Sequence, residues 1–162
     1  MKTRIYTLLL PTMAALAFVL TAPISGWAQE SPSAKAARLM NDSGFTYTKA
    51  SDAVWTVQFE GKSLKNITVI ASVGDNVMIL FAVVAEKKNV KATPAMMKKL
   101  LGLNEELDRV KIGIDKEGDV FVRIDLSIRI LDKQELKENL DQAAAAANDV
   151  FAALKPFLIA TK

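Results

Sequence analysis

Neither cysteine nor histidine occurs anywhere in the 162 residues. Without thiols there are no disulfides, so burial alone must stabilise the fold, and no lipid-bearing cysteine can end a leader. Without imidazole or thiolate, the usual general base near neutral pH, the usual nucleophile and most zinc and copper ligands are missing. Enzyme chemistry is left with carboxylates, lysines and hydroxyls. Excess charge is scarce too: 21 basic residues face 18 acidic ones. Lys2 and Arg4 lie in a leader segment, and without them 19 bases face 18 acids, a net charge of about +1. A field that weak excludes the long-range attraction on which nucleic-acid binding depends.

What is present begins with that leader. Lys2 and Arg4 precede an apolar run from Ile5 to Leu20, and Gly26-Trp27-Ala28 puts small residues at the minus-three and minus-one sites of a cleavage before Gln29. Pro11 breaks the run and argues against a retained membrane anchor. The reading is a cleavable signal peptide over 1–28 and a single domain over 29–162, exported to the periplasm or beyond.

Within the domain the spacing predicts a helix over 34–40, capped by Ser33 and stopped at Gly44. Strands follow at Phe45 to Ser51, Val54 to Phe59 and Asn66 to Val73, the last two alternating apolar with polar residues. Gly74-Asp75-Asn76 suits a hairpin, and Val77 to Ala85 is a nine-residue apolar run that reads as a central strand. Thr93-Pro94 opens a second helix whose buried stripe is Met96, Met97, Leu100, Leu101 and Leu103, with Asn104 as terminator. Val110 to Ile114 and Val120 to Ile130 are strands joined by a turn at Gly118, the second placing Val120, Val122, Ile124, Leu126, Ile128 and Ile130 on one face. Asp132 then caps a long helix, with Glu135 reaching back and Leu131 stapled to Leu136. Its stripe is Leu136, Leu140, Ala143, Ala147, Phe151 and Leu154, and Pro156 ends it. The order α-ββββ-α-ββ-α describes an α+β fold with an antiparallel sheet, the first and third helices covering one face.

The block Lys99-Leu100-Leu101-Gly102-Leu103-Asn104, Val110 to Ile114, Asp115-Lys116-Glu117-Gly118-Asp119-Val120, Arg123-Ile124-Asp125-Leu126 and Leu131 to Leu140 resembles the bacterial YbjN-like family. The resemblance extends from about Arg38 to Phe157. It implies the fold of type III secretion chaperones and a non-enzymatic protein-binding module, with a homodimer among the forms it allows and with no catalytic residue or cofactor to carry over. Those relatives are largely cytoplasmic, so the export signal here keeps a cytoplasmic role from transferring.

Candidate sites remain to be weighed. Glu105-Glu106-x-Asp108 and Asp115-Lys116-Glu117-Gly118-Asp119 are the densest acidic groups, but the second lacks the length and closing glutamate of a calcium loop and reads as a solvated turn; no metal site is expected. Lys87, Lys88, Lys91, Lys98 and Lys99 could meet anionic headgroups but read as plain solvation. More informative are apolar residues opposite the best-patterned strand faces: Ile70, Phe121 and either Met78 with Leu80 or Ile79 with Phe81, of which Met78 and Leu80 are favoured. A contiguous exposed patch there would bind a protein or peptide partner, unless the second helix covers it. Two rivals stand beside that reading. One is a small enzyme using Asp115, Glu117 and Asp119; the other is an envelope protein that pairs with itself through the alanine-rich helix.

Overall fold

The computed structural model describes residues 30–159; the expected signal peptide lies outside the described residues. Helix α1 (Pro32–Asp42) is followed by strands β1 (Tyr47–Ser51), β2 (Val54–Glu60), β3 (Asn66–Val73) and β4 (Val77–Ala85). Helix α2 (Pro94–Glu106), strands β5 (Lys111–Ile114) and β6 (Val120–Ser127) and helix α3 (Lys133–Leu154) complete the chain. The expected α-ββββ-α-ββ-α order is thus observed. All pairings are antiparallel, in the spatial order β1-β2-β3-β4-β6-β5.

Period two explains the sheet's two faces. Trp55 and Val57, Ile67, Val69 and Ala71, Met78, Leu80, Ala82 and Val84, and Val120, Val122, Ile124 and Leu126 all lie buried on one face. Helix α3 lies across β4, β3 and β6 on that face, with α1 against α3 and β3. Its Leu136, Leu140, Ala143, Ala147, Val150 and Leu154 are fully buried, each alanine letting backbone approach sheet closely. Burying a side chain of leucine size contributes about 1.5–3 kcal/mol, and no disulfide supplements it.

The long helix starts as its sequence dictates. The Glu135 amide donates to Asp132 Oδ1 at 2.8 Å, and Leu131 and Leu136 are both buried. The Glu135 carboxylate, however, turns to Arg109 rather than back to the cap. That contact holds the loop at Arg109, whose φ of 61° is rare for a residue with a side chain.

Several boundaries move for physical reasons. Ser31, not Ser33, caps α1, accepting from the Ala34 amide with Pro32 in the first turn. Strand β6 stops at Ser127 because the Ile130 and Leu131 amides both turn back to its carbonyl, so Ile130 is 74% exposed instead of buried. In α2 the stripe is narrower than expected. Met96, Leu100 and Leu103 are buried against β5 and α3, while Met97 and Leu101, roughly 100° further round, are 38% and 71% exposed. Asn104 does not terminate α2. Its amide oxygen accepts from the Ile112 N–H at 2.8 Å and its Nδ2 donates to the Ile112 carbonyl at 3.2 Å, as a neighbouring strand would. Phe151, expected in the core stripe, is only half-buried.

Candidate functional site

The sheet face opposite the helices sets the choice between the two strand-face alternatives. Met78 and Leu80 are both 0% exposed, packed in the core between sheet and helices, so the favoured pair cannot form an accessible surface. Their neighbours on β4 point the other way. Ile79 and Phe81 are half-buried, and Val83 is 40% exposed. The apolar run over β4 gave no alternation from which to tell its faces apart. Only the register against β3 and β6 does so.

That register assembles a patch. Ile70 on β3 stands opposite Phe81, and Val83 opposite Phe121 on β6. The rings of Phe81 and Phe121 lie 5.1 Å apart, tilted by 30°. Two of the four expected residues, Ile70 and Phe121, therefore join Phe81 and Val83 in one apolar strip. Helix α2, the element that could have covered it, packs instead on β5 and α3.

Gly113 fixes the ring of Phe121. The two residues pair across β5 and β6, and a Cβ added to Gly113 would stand 2.6 Å from the ring's outer carbon. An aromatic ring laid over a strand glycine covers the bare backbone and holds the ring flat on the sheet. The alternation over Val110 to Ile114 places Gly113 in a strand and says nothing of its cross-strand partner, which only the register supplies.

Charge borders the strip. Asp125 on β6 receives Arg123 Nε at 2.6 Å and Lys111 Nζ at 2.5 Å. Burial pushes the Asp125 carboxyl up, but the hydrogen bonds and charges of Lys111 and Arg123 outweigh it and hold the group below the usual carboxylate range. The face thus offers an apolar centre and a compensated charged rim.

The acidic turn is occupied with its own backbone. Asp115 Oδ1 accepts from the Gly118 and Asp119 amides at 2.9 Å each, and Asp119 Oδ1 accepts from the Lys87 amide at 2.8 Å. Gly118 takes a φ of 95°, the left-handed conformation expected there. Among the described residues no three acidic side chains gather as a metal site would require.

Comparison with solved structures gives the fold. YbjN from E. coli superimposes with a TM-score of 0.55 at 14% identity, over 78% of this chain and 94% of that one. A chain of the heterodimeric ExoU-SpcU complex from the type III secretion system of Pseudomonas aeruginosa gives 0.54 at 14%, over 74% and 97%. The Yersinia pestis type III secretion chaperone SycH, solved with a fragment of YscM2, gives 0.53 at 11%, over 74% and 99%. No curated protein matches the sequence. The family model described as "Putative bacterial sensory transduction regulator", YbjN, matches residues 37–156. That span covers β1 to β6 and both later helices, so the chain belongs to the YbjN family, built on the type III secretion chaperone-like fold.

Proposed function

We propose that this chain is an exported, non-catalytic module that takes a partner protein on its uncovered sheet face. The observation that carries the reading is the strip of Ile70, Phe81, Val83 and Phe121, contiguous by register, with no helix laid across it among the described residues. Apolar side chains rimmed by charge are the composition of a protein contact surface. Its fold neighbours from P. aeruginosa and Y. pestis were solved with protein partners, which supports the same use here. The leader supports export. The lack of histidine and cysteine, together with Asp115 and Asp119 bonded into their own loop, favours binding over catalysis.

The test is cross-linking in cells that express the chain with its leader, comparing wild type with Phe121→Glu and Leu101→Glu. Partner adducts lost in Phe121→Glu and kept in Leu101→Glu support the reading. Adducts unchanged in Phe121→Glu remove the sheet face from consideration.

A second reading has its own observation. Met97 and Leu101 stand one turn apart on the outer side of α2, exposed and apolar, as a helix seam between two copies would need. Light scattering over a concentration series separates the two: a dimer that Leu101→Glu dissociates assigns α2 to self-association and leaves the sheet for partners.

A further inference from the structure

Strands β3 and β4 part company before either ends. Their ladder runs from Val73↔Met78 to Ile70↔Phe81 and stops, although β3 continues back to Asn66 beside β2 and β4 continues to Ala85 beside β6. The alternation of the ladder says what the separated edges present. The Val73 amide donates to Ala53 and the Gly74 amide to Val77, so odd residues of β3 bond towards β2 and even ones towards β4. The backbone groups of Thr68 and Asn66 are therefore directed into the gap, and those of Val83 face them from β4. A notch through the sheet results, of about 540 Å³, a size within the range of small-molecule sites.

Its walls are mostly apolar. Ile70 and Val83 line it from the sheet, and Phe151 enters from α3, which explains why that ring left the core stripe. The carboxyl-terminal segment closes one side. Leu158 pairs with Val90, the Lys91 amide donates to the Phe157 carbonyl at 2.8 Å, and the Ile159 amide donates to the Asn89 carbonyl at 2.9 Å. Leu158 and Ile159 thereby become part of the lining. The polar groups gather at the rim: Asn66, Thr68, Asn89 and Glu86. Among the described residues Glu86 is the one charged member of the lining, and Lys88, outside the lining, is already paired with it. Among the described lining residues an anionic group would meet a carboxylate and no free cation.

We propose that this notch holds a single-chain amphiphile whose polar end is uncharged, the apolar tail lying between Ile70, Val83, Phe151 and Leu158 and the polar end bonding to Asn66, Thr68 and Asn89. The notch shares Ile70 and Val83 with the strip proposed above but not Phe81 or Phe121, so Phe121→Glu distinguishes the two readings, and the notch stands whether or not the strip takes a partner. The fluorescent probe N-phenyl-1-naphthylamine, neutral and apolar, tests it on the purified chain at pH 8. A saturable rise in fluorescence is expected, reversed by monolauroylglycerol at concentrations about tenfold below those of laurate, because an ionised head gains no partner.

Ile159→Glu, at a half-exposed position that leaves folding intact, should weaken uptake about tenfold by placing charge in the lining. Asn66→Trp, at the exposed rim, should block the notch as well and serves as the second variant. Phe121→Glu should leave uptake within about twofold, since Phe121 is outside the lining. No saturable rise, equal displacement by laurate, or a loss that follows Phe121→Glu instead of Ile159→Glu would each overturn the proposal.

Discussion

Replacing Gly113 by alanine should destabilise the protein, and the same change should stabilise it once Phe121 has been removed. The added methyl group would lie 2.6, 2.9 and 3.3 Å from three carbons of the Phe121 ring, well inside contact distance for at least two of them. The ring must swing off the strand, losing its 5.1 Å partnership with Phe81. Overpacking of this kind costs about 1–3 kcal/mol, and the aromatic pair contributes about 0.5–1.5 kcal/mol within that loss. Against it stands the smaller backbone freedom of alanine in the unfolded chain, worth about 0.4–1 kcal/mol where the native φ suits it. Gly113 has no positive φ, so alanine fits its backbone. The net for Gly113→Ala is a loss of about 1 kcal/mol. In a Phe121→Ala background the clash is gone and only the entropic gain is left, about 0.5 kcal/mol of stabilisation. Urea denaturation of the four members of this cycle, read as midpoint shifts at constant slope, gives both values. Equal effects of Gly113→Ala in the two backgrounds would refute the claim that the glycine is there for the ring, and with it the account of how Phe121 is held in the apolar strip.

Asn104→Ala should cost about 1–2 kcal/mol, because it strips the Ile112 N–H and C=O of the side chain that pairs with them. Hydrogen exchange at the Ile112 amide should quicken about tenfold, and an unchanged rate would show that water replaces the side chain without loss. Asp125 gives a pH dependence with a definite sign. Its carboxyl is held lower in the folded chain than in the unfolded one, so its contribution is complete above an ordinary aspartate pKa of about 3.9 and disappears as pH falls through the lower native value. Asp125→Asn should therefore be less stable than wild type near neutrality, the gap closing below about pH 3 in denaturation curves taken from pH 7 to pH 2. A gap that stays constant would mean that Lys111 and Arg123 do not set the carboxyl's pKa.

The covered face was legible because burial writes itself into the sequence. Trp55 and Val57, Ile67 and Val69, and Val120 to Leu126 alternate with polar neighbours, and each ended where its period placed it. The long helix was legible from its end, since Asp132, Leu131 and Leu136 are a local arrangement that needs no tertiary knowledge. The uncovered face was only half legible. Ile70 and Phe121 belong to strands whose other face is unambiguous, so their outward position followed. On β4 every residue from Val77 to Ala85 is apolar, and a run without alternation carries no phase. The favoured choice of Met78 and Leu80 therefore falls on the covered side, and only the strand pairing turns Ile79 and Phe81 outward. Leu101 misled for a related reason: a helix that touches its neighbours along one narrow stripe exposes apolar residues that composition alone would bury. Asn104 and the β3–β4 notch depend on backbone edges, which leave no trace in side-chain patterning.

A shared fold at 14% identity locates where variation is free to act. The helices and the covered face require only apolar volume at fixed periods, and many sequences supply it without disturbing the architecture. The opposite face has no such obligation, because no helix lies across it among the described residues. A residue there that is larger and more apolar than solvent exposure calls for needs another cause. Phe121 is such a residue: a serine or threonine would satisfy β6, yet an aromatic ring stands there, and a glycine is placed across the ladder to receive it. Two positions on different strands that fit each other, on a face no helix lies across among the described residues, support the proposed reading of that face as a contact surface. On the reading proposed above, the side chains of Phe81 and Phe121 are what a partner would meet at the centre of that face.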